Sequence, residues 1–246
     1  MSYAIGVSDA VGDALRAVFP PAKVVVIPNG IDFRNYACGS MESSRNGFRK
    51  FHGIAADVPL VGTLGELKEI KGQRDFVLAA REISKTLPDC HFVIVGKDNL
   101  RDKSFRRELK RVVRVFEMED RFLWLDWLDD TAPFYTAIDL FVSPSHSESF
   151  GLAILEAIAN ETPVVATRTE GAFQLLGDSG RFAPINDPVA LAAAITESLS
   201  DNLKCSAAAA AARKRAEQLF NLDTMIQKTE CLYEAMLGIR QKAGIG

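Results

Sequence analysis

The stretch LFVSPSHSESFGLAILEAIANETPVVA, residues 140–166, decides the fold. It begins and ends with short apolar runs, Leu140–Val142 and Val164–Ala166, which are typical of strands covered on both faces. The apolar segment Gly151–Ala159 between them predicts a helix. Strand, helix and strand in this order form a right-handed βαβ unit, so we expect the two strands to be parallel.

The same alternation of short β-branched runs and longer helical patterns extends over the rest of the chain. Further strands are predicted at Val24–Ile27, Leu60–Thr63, His91–Val95 and Phe122–Leu125. Further helices are predicted at Ala10–Phe19, Gln73–Lys85, Ser104–Phe116, Ala132–Ala137, Pro188–Ser200, Lys204–Leu219 and Leu222–Leu237. The pattern predicts an α/β fold with a doubly wound, Rossmann-like parallel sheet and helices at the C-terminal end. The polar segment at residues 37–46 predicts an exposed loop.

Composition excludes several classes of protein. The 246 residues are 48% apolar and 25% charged, with a formal net charge of -3, which does not favour a nucleic-acid binder. No apolar run approaches the roughly 18 residues that span a bilayer. The first residues, MSYAIGVSDAVGD, lack the basic start and apolar block of a signal peptide, and the four cysteines form no CxxC pair. We therefore expect a cytoplasmic protein with reduced thiols.

Two glutamates, Glu148 and Glu156, flank the start of the predicted helix in the 140–166 stretch. Eight helical residues would separate them by about 12 Å, so they cannot act on the same atom. If Ser147 or Ser149 caps the helix, its first free amides form an anion site, and Glu156 can reach a ribose at the far end of an extended ligand. The spacing leaves a simpler alternative open, in which Glu148 helps to cap the helix and Glu156 is a solvated position.

Two other turns follow predicted strands. Residues 62–72 (GTLGELKEIKG) place Lys71 where it can pair with a phosphate, although a surface lysine gives the same pattern. Residues 169–174 (TEGAFQ) predict a glycine-bearing turn at the carboxyl end of a strand. His146, two residues before Glu148, either lines the same site or is structural.

Taken together, the motifs resemble the C-terminal, donor-binding domain of a family 4 (group 1) retaining glycosyltransferase, one half of a GT-B fold. The resemblance runs from about Val7 to Leu237. It rests on PNGID at 28–32, GEL at 65–67 with KG at 71–72, FVIVG at 92–96, PSHSESFG at 144–151 with EA at 156–157, and PVVA at 163–166.

The resemblance implies roles for these residues. Glu148 contacts hydroxyls of the transferred sugar, and Lys71 neutralises the departing diphosphate. The backbone near Ser149, Phe150 and Gly151 holds the diphosphate. The implied donor is a UDP-, GDP- or ADP-sugar, and the implied transferase, of the hexosyltransferase type, needs no metal or other cofactor.

Glu156 is expected to hold the ribose, as in the family. Other positions depart from the family pattern. Glu66 stands where the family usually has an arginine beside the diphosphate, and Lys68 is a candidate to compensate its charge. Gly171, which the resemblance places with Glu66 among the nucleotide-sugar-binding residues, keeps one glycine of the family's GGxxE motif, whereas Gln174 replaces the carboxylate.

The resemblance also predicts a division of the chain. Residues 1–19 are expected to be the end of an N-terminal acceptor domain, residues 20–221 the nucleotide-sugar domain, and residues 222–246 a helix that crosses back to the acceptor domain. The isolated chain is then expected to lack turnover. Two alternatives are a non-catalytic nucleotide-sugar binding module and a GT-B nucleotide-sugar epimerase. The basic run at 103–114 is either a solvated helix face or a peripheral contact with the inner membrane surface.

Overall fold

A six-stranded, fully parallel sheet forms the centre of the protein. The computed structural model describes residues 3–36 and 41–238. The strands lie at Ala4–Gly6 (β1), Val24–Val26 (β2), Leu60–Leu64 (β3), His91–Val95 (β4), Phe122–Leu125 (β5), Leu140–Ser143 (β6), Val164–Thr167 (β7) and Arg181–Ala183 (β8). The order across the sheet is β5-β4-β3-β6-β7-β8. The predicted α/β class and doubly wound parallel sheet are confirmed.

Helices cover both faces of this sheet. They lie at Asp9–Arg16 (α1), Met41–Phe51 (α2), Gln73–Ile83 (α3), Ser104–Val115 (α4), Ala132–Ala137 (α5), Leu152–Ala159 (α6), Glu170–Leu176 (α7), Pro188–Ser200 (α8), Asn202–Leu219 (α9) and Leu222–Leu237 (α10). Two apolar clusters form, one on each face, because the strand side chains alternate between the faces. Phe141 and Phe150 belong to the first cluster, and Phe76 and Phe92 to the second.

The strand order changes direction between β3 and β6. From β3 the chain moves outward through β4 and β5, and then returns to pair β6 with the other side of β3, Val61 facing Leu140 and Gly62 facing Phe141. In a doubly wound sheet, a crevice opens outside the carboxyl ends of the strands at this point, and ligands bind there. The topology therefore places the main candidate site after Leu64 and Ser143.

The strand predicted at Val24–Ile27 does not belong to the central sheet. Residues Val24–Val26 pair with β1 in a separate two-stranded parallel sheet. The sixth central strand is β8, which the sequence analysis missed because its three residues, RFA, include a charged one and show no apolar run. The predicted division at residues 19 and 20 falls between the two paired strands β1 and β2, and stays a prediction.

Two segments predicted as irregular are helical. The loop predicted at 37–46 is wrong from Met41 onward, since α2 begins there, and residues 37–40 lie outside the described chain. The turn predicted at 169–174 is the start of α7, which Thr169 caps by accepting a hydrogen bond from the Ala172 N–H. Serine, asparagine and glycine lower the helix propensity of α2, so its stability comes from tertiary contacts.

Those tertiary contacts centre on the buried side chain of Arg49, which is 1% exposed. Its guanidinium donates to Asp139 Oδ2 at 2.8 Å and to four backbone carbonyls, those of Ala55, Ala56, Val58 and Ala137. Asp139 also accepts from the Leu60 N–H at 2.7 Å. The network joins α2 to the C-terminal end of α5 and to the start of β3.

We expect Arg49→Met to lower the free energy of unfolding by about 3–5 kcal/mol, because four backbone carbonyls lose their buried charged donor and Asp139 keeps only the partly exposed Arg45 as a cation. Urea unfolding followed by circular dichroism measures this. Arg45→Ala is the matched control: it removes the half-exposed second cation on Asp139, and we expect a loss of about 1 kcal/mol or less. Equal losses in the two variants would contradict the network.

No helix of the described chain is long and apolar enough to cross a membrane. On α4, the side chains of Arg107, Lys110, Arg111 and Arg114 are exposed. Two of them have acidic neighbours, Arg107 with Asp102 at 3.5 Å and Arg114 with Glu119 at 3.3 Å. A contact of this face with an anionic membrane stays a prediction.

Candidate functional site

A cleft of about 330 Å³ lies where the carboxyl ends of β3 and β6 meet. Lys71 and Glu148, predicted to act together, both line it. They are 77 positions apart in the sequence, and Lys71 Nζ donates to Glu148 Oε2 at 2.7 Å. Ser145 Oγ donates to the same carboxylate oxygen at 3.3 Å. The two side chains are 26% and 15% exposed, so the pair is largely shielded but reachable from the cleft.

The position of Lys71 follows from the turn that carries it. Lys71 ends a single helical turn, Glu69–Lys71, and Gly72 follows with φ +66. A Cβ at Gly72 would lie 1.9 Å from the Pro144 carbonyl oxygen, so only glycine allows this approach. The turn after β3 is thereby packed directly against the loop after β6.

The loop before α6 differs from the prediction in its cap. Neither Ser147 nor Ser149 caps the helix, and both are exposed. Gly151 precedes the helix with φ +97, a conformation that favours glycine, and α6 begins at Leu152. Among the described residues, the N–H groups of 152–154 donate to no protein acceptor. Residues 152–154 line the cleft together with 149–151, and the first free amides of the helix lie after Gly151, whereas the sequence analysis expected them around residues 149–151.

The other residues predicted in this loop have different surroundings. Ser149, Phe150 and Gly151 all line the cleft, but the Phe150 ring is buried and packs edge to face on Phe220 with centroids 5.5 Å apart. Gly171 lies behind the loop, and its N–H donates to the Glu148 carbonyl at 3.2 Å. Gly171 therefore supports the loop and does not line the cleft.

A second, larger cleft of about 600 Å³ opens at the carboxyl ends of β3, β4 and β5. It shares Leu64, Gly65 and Glu66 with the first cleft, so the two adjoin. Glu156 lines this second cleft, together with the largely exposed ring of Trp127. Both clefts lie at the carboxyl edge of the sheet, one on each side of the β3 terminus.

Glu156 is a partly buried carboxylate, so the alternative of a solvated helix position is wrong. Thr131 Oγ1 donates to Glu156 Oε2 at 3.2 Å. Burial raises the pKa of Glu156 above its ordinary value, and the hydrogen bond from the Thr131 hydroxyl offsets this in part, while the Tyr135 hydroxyl donates to the Ala153 carbonyl at 2.9 Å. The separation of about 12 Å expected for Glu148 and Glu156 assumed a continuous helix between them, but only residues from 152 onward are helical. The two glutamates are nevertheless separate, because each lines a different cleft.

Comparison with known proteins decides the family. The family of glycosyl transferases group 1 matches residues 58–201, more than half of the chain. The chain belongs to this family. This range includes Lys71, both glutamates and most of the residues that line the two clefts.

Relatives of the chain are bacterial transferases. The lipopolysaccharide core biosynthesis glycosyltransferase LpsE of Rhizobium meliloti (strain 1021) is 34% identical over 149 residues, 60% of this chain and 41% of LpsE. The mannosyltransferase LpsB of the same strain is 28% identical over 217 residues, 86% of this chain and 61% of LpsB. The chain therefore spans about half of the length of these two relatives.

A solved structure shows the same architecture. Anabaena HepE, crystallised in complex with UDP and glucose, superposes with a TM-score of 0.88 at 26% identity, over 95% of this chain and 63% of HepE. The sheet of this group 1 glycosyl transferase domain is thus one half of a GT-B fold.

Glu66 is the main departure of this transferase domain from the expected motif. Its carboxylate pairs with Lys68 Nζ at 2.5 Å and accepts from Asn99 Nδ2 at 2.8 Å. The hydrogen bond from Lys68 has the larger effect on the pKa of Glu66 and the bond from Asn99 the smaller, and both lower it. Glu66 is therefore an anion, and it lies where the two clefts adjoin. Lys68 is therefore placed to compensate the charge, as the sequence suggested.

Gln174, the second departure, faces a different part of the molecule. Its Oε1 accepts from the Asp9 N–H at 3.2 Å, which ties α7 to the start of α1. Gln174 is not among the residues that line either cleft. At the position where the motif has a carboxylate, the Gln174 side chain thus connects α7 to the β1–α1 segment.

Several residues of the site were not predicted from the sequence. Thr131 and Asn99 were missed because single polar residues in loops carry no pattern, although each bonds a predicted glutamate. Asp75 was missed because it sits in an ordinary helical first turn, yet its Oδ2 lies 2.7 Å from His146 Nε2. Only spatial proximity across 71 positions reveals this contact.

The burial of Glu156 predicts a pH-dependent stability. Because its pKa is raised from the ordinary 4.5, the folded protein holds this proton more tightly than the unfolded chain. Stability from this group is therefore present below the ordinary pKa and is lost as the pH rises through the raised value. We expect Glu156→Gln to raise the Tm at about pH 7.5 and to leave it nearly unchanged at about pH 4. An equal change of Tm at both pH values would contradict this account.

Proposed function

We propose that this chain is the donor-binding domain of a retaining glycosyltransferase that takes a sugar from a UDP-, GDP- or ADP-sugar. The observation that carries the proposal is the Lys71–Glu148 pair at the crevice between β3 and β6, beside a second cleft that contains Glu156. A cation, free helix amides and two separated carboxylates suit the three chemically different parts of a nucleotide sugar.

The arrangement supports one orientation of the donor. The sugar hydroxyls lie at Glu148, and the diphosphate lies between Lys71 and the N–H groups of 152–154. The ribose hydroxyls donate to Glu156, and the base occupies the larger cleft. Because Lys71 touches Glu148, the phosphate nearest to its ammonium is the β-phosphate, which carries the sugar.

The chemistry that this orientation supports is electrostatic. Negative charge develops on the diphosphate as its bond to the sugar breaks, and preorganised donors stabilise that charge. Lys71 supplies a full positive charge and α6 supplies the positive end of its dipole. The mechanism that we propose uses no metal: the leaving phosphate accepts the proton of the acceptor hydroxyl, and the acceptor attacks from the face that the phosphate leaves, with retention of configuration.

Titration of the chain with UDP, GDP and ADP tests the donor site. We expect one of them to bind, and Glu156→Ala and Lys71→Ala to weaken that binding. Calorimetry gives the dissociation constants. Failure of all three nucleotides to bind at millimolar concentration would contradict the proposal.

We also propose that the chain needs the acceptor-binding domain for turnover. The relatives LpsE and LpsB are longer, since the matched part covers 41% and 61% of them. We expect the 246-residue chain to bind the donor nucleotide without transferring sugar, and a chain completed with an N-terminal domain to transfer it. Robust transfer by the chain alone would contradict this second proposal.

A second candidate function is a non-catalytic nucleotide-sugar binding module. The anion of Glu66 beside the proposed diphosphate position favours it, because a carboxylate there opposes the charge that builds up during transfer. A transfer assay of the completed protein distinguishes the two functions, because an enzyme transfers sugar and a module does not. Glu66→Arg then tests the effect of the charge, since the substitution should raise the affinity of a module for the diphosphate.

A further inference from the structure

A second side-chain pair lies directly beside the Lys71–Glu148 pair. His146 Nε2 lies 2.7 Å from Asp75 Oδ2, and the side chains are 29% and 15% exposed. Asp75 belongs to the first turn of α3, four residues after Lys71, and His146 belongs to the loop after β6, two residues before Glu148. The contact therefore joins the same two segments that carry Lys71 and Glu148.

Three contacts hold His146 against the segment that carries Lys71. The backbone N–H of His146 donates to the Ile70 carbonyl at 2.8 Å. Its ring Cδ2 would be 3.4 Å from a Cβ at Gly72, so the ring packs over that glycine. The Asp75 carboxylate contacts the ring at Nε2, the atom next to Cδ2. These contacts fix the distance between the two segments independently of any ligand.

The Lys71 side chain has few constraints of its own. Among the described residues it bonds the Glu148 carboxylate, whose Oε2 atom also accepts from Ser145. A flexible lysine side chain loses much rotamer entropy when its ammonium is held in one place. A fixed position of the Lys71 backbone reduces the number of positions that the ammonium can reach. The backbone of this turn keeps a fixed position only while the turn stays packed on the loop after β6.

We propose that Asp75 and His146 are positioning residues, which clamp the turn of Lys71 against the loop of Glu148 and so place the ammonium for the β-phosphate. The inference rests on the proposed donor site. Neither residue touches the diphosphate in this account. Their effect passes through Lys71 and is therefore specific for ligands that have a β-phosphate.

Affinities for a nucleoside diphosphate and its monophosphate test the clamp. With UDP and UMP as probes, or the matching pair for whichever of GDP and ADP binds, we expect His146→Phe to weaken diphosphate binding about tenfold. Monophosphate binding should stay within about twofold, because Lys71 faces the β-phosphate. His146→Gln, whose amide N–H can still donate to Asp75, should restore most of the difference.

A double-mutant cycle separates positioning from general stability. In a Lys71→Ala background, His146→Phe should cause no further loss of diphosphate affinity. Arg74→Ala is the matched control, since Arg74 is exposed beside Asp75 and pairs with Glu108 at 3.2 Å. We expect its affinities to equal those of the parent.

Three results overturn the clamp. They are equal weakening of diphosphate and monophosphate, additive losses in the Lys71→Ala background, and unchanged diphosphate affinity in a folded His146→Phe variant. If His146→Phe does not fold, Asp75→Ala replaces it in the same comparison. A parent chain that binds no diphosphate overturns the proposed function itself, which is a different outcome from a parent that binds and depends on Lys71 but not on His146.

Discussion

Lys71→Ala is expected to weaken binding of the nucleoside diphosphate by about 10- to 100-fold, the range for one hydrogen bond to a charged group. The ammonium is the cation that lines the smaller cleft at the β3–β6 crevice, and it is partly shielded from water. In the ligand-free protein it already pairs with Glu148, so the bound diphosphate must share it. Calorimetric titration of parent and variant gives the ratio of dissociation constants.

Lys68→Ala is the matched control for Lys71→Ala. Lys68 is a nearby lysine, half exposed, that pairs with Glu66 and does not line either cleft. We expect its removal to change diphosphate affinity only a few fold, since an exposed ion pair contributes about 1 kcal/mol or less. A loss in Lys68→Ala as large as that in Lys71→Ala would mean that overall positive charge, and not the position of Lys71, governs binding.

Glu148→Gln is expected to have opposite effects on binding and on transfer. The substitution removes an anion that lies beside the diphosphate and frees Lys71 from its pair, so diphosphate affinity should stay the same or rise a few fold. In the protein completed with an acceptor domain, transfer should fall by about 100- to 1000-fold, the typical loss when one stabilising group of a transition state is removed. Calorimetry and a transfer assay with labelled donor give the two numbers.

The opposite signs make Glu148→Gln informative. The amide still accepts a hydrogen bond from Ser145 and has the same shape, so the cleft should keep its geometry. Loss of diphosphate binding in this variant would show that Glu148 is needed to bind the diphosphate and does not contact the sugar alone. Undiminished transfer would remove Glu148 from the chemistry altogether.

The sequence predicts the fold where the strands are fully buried. Valine-rich runs such as His91–Val95 and Val164–Thr167 carry the signal of a doubly covered parallel sheet, and their order gives the topology class. The signal fails for Arg181–Ala183, an edge strand of three residues, and for α2, whose helix is stabilised by the buried bonds of Arg49. In both, tertiary contacts outweigh the local pattern.

The sequence predicts the candidate site less completely. Lys71, Glu148 and Glu156 stand out through their motifs, and the structure brings Lys71 and Glu148 into contact. The ion pair, the left-handed Gly151 and the Asp75–His146 contact depend on how loops after different strands meet. A sequence pattern within one segment cannot predict such contacts between distant segments.

A crystal structure of the chain with its tightest-binding nucleoside diphosphate tests the central claim most directly. The account predicts ribose hydroxyls within hydrogen-bond distance of Glu156, and phosphates at Lys71 and the N–H groups of 152–154. It also predicts the base in the cleft beside Trp127. A nucleotide bound in the reverse direction, or with its phosphates away from Lys71, would contradict it.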